Sequence, residues 1–275
     1  MANIAIFSLL LIFVVYNIQH KSEYRNNTTQ NASHSDTISV FLTNSDDVEE
    51  FKKLLRATPD GSKANIPMLE DAIRNNRTQC LTYLLDSNPQ IEKPGSLVSA
   101  AVNYNHTECV KILIRKGFPV DFETLNSFLP IHYAAVSKDR IESLKLLLDS
   151  EANINREISP SNLTLSGISL KSKKFKDRYK RYYRDDLSNI PGNTPLFTAI
   201  TYGNLDGAKL LIQRGCNLDI KNHEGMTALD WIAYIRKNSH PGYFLPEPAM
   251  LAQMKELILE AKRKQISGGR QQQGR

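Results

Sequence analysis

The sequence predicts an all-α fold, a solenoid of about five to six helix-turn-helix repeats carrying one long basic insertion. Three observations predict it. Landmark residues recur at a fixed spacing: Gly192 and Gly225, Thr194 and Thr227, and Ala101 and Ala134 each lie 33 residues apart. A period in this range is the mark of stacked repeats. Each copy carries two short apolar runs at helical spacing, and such a helix pair cannot bury its stripe alone, so neighbours must stack. Finally, Pro130 and Pro195 occupy equivalent positions yet stand 65 residues apart, one period of 33 plus 32 extra residues.

The chain has 275 residues, 41% of them apolar, enough to build such a core without cross-links. Its three Cys include no CxxC pair, which argues against a disulfide framework or a zinc site. Residues 4–16 (IAIFSLLLIFVVY) are a run of thirteen apolar or small residues with one Ser. A spanning helix needs about 20 such residues, so this run suits the core of an export signal. No Lys or Arg precedes it, and no A-x-A-like cleavage site follows within reach. Residues 1–18 are expected to be a signal sequence or membrane anchor, the alternative being a buried strand or helix. Residues 19–35, nearly devoid of apolar side chains, are expected to be a flexible linker. N-x-S/T sequons begin at Asn26, Asn27, Asn31, Asn76, Asn105 and Asn162; in so Asn-rich a chain, chance is the preferred explanation.

The repeat domain is expected over residues 36–264. Residues 38–61 form a degenerate first copy and 69–93 a looser second, followed by clearer copies at 100–123, 129–157 and 192–222. A last copy begins at 225. In the copy at 192, Thr194 can cap a helix whose first residue, Pro195, needs no N–H partner. Leu196, Ala199 and Ile200 form its stripe, and Gly203 and Asn204 break it. Leu205, Ala208, Leu211 and Ile212 mark a second helix over about 205–213, and Gly215 supplies a left-handed cap. Three Pro and one Gly exclude helix from 238–248. Residues 249–264 then read as an amphipathic closing helix, and 265–275 as a disordered tail.

The T-P-L-F pattern at Thr194–Phe197, the run LLIQRGCNLD (210–219) and the 33-residue period resemble ankyrin repeats over about 36–264, the insertion excluded. The resemblance implies two antiparallel helices per repeat followed by a hairpin-like finger, and a protein partner held on the concave side. His132 keeps the family's usual His, while Phe197 and Asp230 replace it. Leu129 stands for the capping Thr, which puts inter-repeat bonding there in question. Glu151 stands for the usual Gly, which implies strain. His106 falls at the turn between helices, where the family often has His.

The formal charge is +6 and the pI about 9.1, but residues 158–189 hold eight Lys/Arg against three Asp/Glu. The insertion, taken as 158–189, therefore carries +5 of the +6, and the rest of the chain is nearly neutral. Its core, KSKKFKDRYKRYYRDD (171–186), offers Lys173, Lys174, Lys176, Arg178, Tyr179, Arg181, Tyr182, Tyr183 and Arg184 as partner-binding residues. Tyr and Arg are the anchors of protein docking, here onto an acidic surface. The competing readings are a solvated charged loop, a nucleic-acid patch and a nuclear import signal at KKFK. An export-like N-terminus disfavours the last two.

No P-loop, G-x-G-x-x-G, H-E-x-x-H or G-x-S-x-G is present, and the six His are scattered. No catalytic residue, cofactor or metal is expected. The expected role is non-catalytic protein–protein interaction by an exported or membrane-anchored binder that blocks a partner, as an immunity protein blocks a toxin. The alternatives are a cytosolic scaffold tethered to a membrane through residues 4–16, or a nucleic-acid contact through the insertion.

Overall fold

A computed structural model describes residues 32–57, 65–122, 129–159, 192–237 and 246–272. Twelve α-helices form among these residues, and no strand. They fall into six pairs: α1 (Ala32–Asn44) with α2 (Val48–Ala57), α3 (Ile66–Arg74) with α4 (Thr78–Ser87), α5 (Ser96–Asn103) with α6 (Thr107–Arg115), α7 (Pro130–Ala135) with α8 (Ile141–Asp149), α9 (Pro195–Thr201) with α10 (Leu205–Gln213), and α11 (Ala228–Lys237) with α12 (Pro248–Gln272). A 3-10 turn, Lys138–Arg140, precedes α8. First helices pack on first helices in order, α1 to α11, and second on second, α2 to α12. The result is the predicted two-layer solenoid.

One apolar core runs unbroken from Ile38 and Leu42 in the first pair to Met254 and Ile258 in the last. Trp231 is fully buried, its ring 5.2 Å from Tyr234 in a parallel stack, and its indole N–H donates to the Thr201 hydroxyl (2.9 Å). Burying the only Trp with its N–H paired avoids the cost of an orphaned donor.

Helix ends follow local chemistry. Asn65 Oδ1 accepts the Met68 N–H (3.0 Å) at the start of α3. Thr227 and Asp230 cap α11 reciprocally: Asp230 Oδ2 accepts the Thr227 N–H (2.9 Å), and the Asp230 N–H reaches the Thr227 hydroxyl (3.4 Å). Asp230 thus stands in a capping box, and the Thr227 hydroxyl and N–H hold its carboxyl below its usual range. Thr194 sits in the extended N-cap conformation, yet its side chain caps nothing. Its carbonyl takes the Thr198 N–H instead (3.1 Å), and Pro195 has already removed one donor from the turn.

Three boundaries differ from the sequence reading. Helix α1 begins at Ala32, inside the expected linker. Ile158, placed at the start of the insertion, is buried and paired with Gly192 and Asn193; counting periods sets the length of an insertion but not its edges. Helix α12 runs to Gln272, past the expected end at 264. The apolar stripe ends there, and Gly268 and Gly269 are poor helix formers, so local propensity does not account for the extension. The expected signal or anchor, the insertion core and the Pro-rich stretch at 238–245 lie outside the described residues. Among the described residues, no helix is long and apolar enough to cross a membrane.

Candidate protein-binding surface

Each of the second to fifth repeats is tied to the one before by a side chain at or beside its inter-helix turn that reaches a backbone carbonyl of the preceding first helix. Arg77 Nε donates to Leu42 (2.8 Å), and His106 Nδ1 lies 2.7 Å from the Ile73 carbonyl. Arg140 donates to Asn103 (2.6 Å), and Asn204 Nδ2 to Ala135 (3.0 Å). These carbonyls sit at the open end of a helix, where no intrahelical N–H is available. Four different residue pairs thus close the same kind of gap. Only His106 had a signal in the sequence, because Arg and Asn at a turn are otherwise ordinary.

The finger edge carries a parallel set of links. The Asn153 N–H donates to Asp121 (3.0 Å), and the Asn217 N–H to Asn155 Oδ1 (2.8 Å). The left-handed positions that end the second helices are Gly117 (φ 77°), Glu151 (φ 64°) and Gly215 (φ 81°). Glu151 therefore adopts the strained conformation that its place in the repeat implies.

His132 is fully buried between the backbones of Arg156 and Asn193, and its Nε2–H donates to the Asn193 carbonyl (3.3 Å). Burial pushes its pKa down to about 4. Leu129, which replaces the capping Thr in this copy, is fully buried and makes no side-chain cap. Cys80, Cys109 and Cys216 are free and buried, and burial pushes each thiol up to about 12. They are core residues, held as unreactive thiols.

The outer face of the second helices is charged in register. Glu49–Lys52 (2.6 Å), Glu108–Lys111 (3.1 Å), Glu142–Lys145 (2.7 Å) and Asp206–Lys209 (3.9 Å) repeat one pair on α2, α6, α8 and α10. Helix α4 breaks the row with Gln79 and Thr82. A shallow groove of about 540 Å³ opens there, lined by Val48, Thr82, Tyr83 and Ile112 among others. No group of three or more His, Cys, Asp or Glu able to hold a metal occurs among the described residues.

The predicted docking residues, Lys173, Lys174, Lys176, Arg178, Tyr179, Arg181, Tyr182, Tyr183 and Arg184, lie outside the described residues. The structure does define where that segment leaves and rejoins the solenoid. Ile158 and Gly192 sit side by side at the finger end of the fourth pair: the Gly192 N–H donates to the Ile158 carbonyl, and the Ile158 N–H to the Asn193 carbonyl (both 2.9 Å). Sequence reasoning missed Asn193 and Asn222, both buried at this root.

Comparison with known proteins agrees with this geometry. A family model of ankyrin repeats in three copies matches residues 69–158, and a single ankyrin-repeat model matches 191–223. The Danio rerio protein named "Putative palmitoyltransferase ZDHHC13" is 23% identical over 195 residues, covering 66% of this chain and 30% of its own length. The Fowlpox virus (strain NVSL) protein named "Putative ankyrin repeat protein FPV031" is 27% identical over 162 residues, 56% of this chain and 46% of its own length. The chain therefore spans less than half of either relative.

Proposed function

The chain belongs to the ankyrin-repeat family, a protein-interaction module, and on that premise we propose that it is a non-catalytic binder whose basic insertion docks an acidic protein surface. The observation that carries this reading is the placement of charge. The solenoid closes its own ion pairs along the second helices, whereas the chain's net positive charge is concentrated between residues 158 and 189. That segment is launched from the finger edge at the Ile158–Gly192 pair. Lys and Arg there steer an acidic partner, and Tyr179, Tyr182 and Tyr183 supply anchors. Binding by shape and charge occludes or tethers the partner without chemistry.

The test is affinity capture from the source cells with the full chain and with a variant in which Lys173, Lys174, Lys176, Arg178, Arg181 and Arg184 become Glu. The variant is expected to lose the partner, and capture by the natural chain to weaken steeply with salt. Recovery of the same partner with equal affinity and equal salt dependence by both would remove the insertion from the interface. A captured nucleic acid in place of a protein would favour the phosphate-binding alternative.

The apolar run at 4–16 supports the finer reading of an exported or membrane-anchored blocker, such as an immunity protein acting on a toxin. A tethered cytosolic scaffold is its rival. Carbonate-resistant membrane retention with a solenoid protected from protease in spheroplasts would count against export.

A further inference from the structure

The solenoid is interrupted between its fourth and fifth pairs by residues 160–191, yet the two sides are joined by contacts that do not pass through that stretch. Helix α7 packs on α9, and α8 on α10. The reciprocal Ile158–Gly192/Asn193 bonds close the root, and the Asn193 carbonyl also receives the buried His132 ring. Gly192 is at φ 81°, and a Cβ there would stand 2.6 Å from the His223 nitrogen, so only Gly lets the chain lie this close to the finger.

Asn222 fixes the orientation of the cluster. Its Oδ1 accepts the Glu224 N–H (3.1 Å) and the Met226 N–H (3.0 Å), so its amide nitrogen must face Asn193, donating to Asn193 Oδ1 (3.1 Å). Turning the Asn193 amide over would set two N–H groups face to face. The present arrangement therefore holds even though Asn193 Nδ2 is buried with no acceptor among the described residues. A second buried amide pins the turn edge. Asn204 donates to the Ala135 carbonyl (3.0 Å) while its Oδ1 caps α10 through the Gly207 N–H (2.9 Å). A Cβ on residue 207 would lie 2.4 Å from that amide, so Gly207 makes room for it.

We propose that His132, Asn193, Asn204 and Asn222, with the Ile158–Gly192 pair, form a clasp that keeps the solenoid whole whether or not the chain is continuous between residues 160 and 191. The polar groups set register and the helix packing supplies adhesion. Cutting or engaging the segment between them then leaves the binding scaffold folded. This holds independently of which partner, if any, the insertion docks.

A site-specific protease sequence placed between Lys171 and Asp186 of the full chain tests it. After cutting, the two fragments are expected to co-elute as one species with the mass of the intact 31.1 kDa chain and to part only in denaturant. With His132→Ala and Asn204→Ser together, which remove two buried side-chain bonds that cross the cut, their dissociation constant should rise by about tenfold or more, as loss of buried hydrogen bonds implies. Fragments that separate on cutting, or a double variant that holds them equally well, would overturn the clasp. Should the double variant fail to fold uncut, hydrogen exchange on the natural chain decides. The Ile158 and Gly192 amides should be as protected as those of α9, and exchange at unprotected rates would refute the proposal.

Discussion

Glu151 is exposed and held at φ 64°, where an L side chain crowds the following carbonyl. Gly117 and Gly215 fill the equivalent positions at φ 77° and 81° without that strain. Glu151→Gly is therefore expected to stabilise the chain by about 1 kcal/mol, read as a higher urea midpoint at unchanged slope. The strain was legible from the repeat pattern, because the position defines the backbone before the residue does. His132 has the opposite character, since a favourable packed geometry holds a group that cannot accept charge. Burial lowers its pKa from the ordinary 6.5 to about 4. The folded state thus binds the proton more weakly than the unfolded chain. The stability of the neutral ring is fully present above pH 6.5, is lost as pH falls from 6.5 towards 4, and levels off below. The loss attributable to this residue amounts to about 3 kcal/mol. His132→Gln should flatten that part of the stability–pH curve, and an unchanged slope between pH 6.5 and 4 would show that the ring is not held neutral.

Between the first two repeats, an element-scale device compensates for the degenerate sequence of the first copy. Helix α4 has no cap of its own at Arg77. Asp46, from the preceding inter-helix turn, supplies it instead, taking the Cys80 N–H (3.0 Å) and the Gln79 N–H (3.2 Å). A carboxylate at a helix N-terminus gains from both the hydrogen bonds and the dipole. Asp46→Ala should cost about 1 kcal/mol, seen as a lower thermal midpoint. An unaltered midpoint would mean that the first pair does not brace the second. This contact explains what could be read in advance and what could not. Helix α10 was placed at its observed bounds because Asn204 and Gly215 are local punctuation. The links of Asp46, Arg77, Arg140 and Asn222 join residues about 30 or more positions apart or through buried amides, and no local pattern announces them. The proposed docking residues at 173–184 were legible only as composition, a charge excess without a fold to place it.

Across the whole molecule, a stack in which each repeat touches only its neighbours is as cooperative as its weakest junction. The junction flanking residues 160–191 is the place to look, since chain connectivity helps least there. Three native thiols report on it without any substitution. Cys80 and Cys109 are fully buried in α4 and α6, on one side, and Cys216 is nearly so beyond α10, on the other. Desolvation pushes all three up to about 12, so at pH 8 neither access nor thiolate is available in the folded chain, and each can react only when its repeats open. If the continuous core and the root contacts make the solenoid one cooperative body, all three thiols should be silent toward a thiol reagent in buffer. They should then become reactive at a single common rate in moderate urea, with the modified sites assigned by peptide mass. Should Cys216 react well ahead of Cys80 and Cys109, the stack parts at the insertion and the two halves are separate bodies. Should Cys80 lead, the stack opens first at its N-terminal end, where Asp46 braces α4.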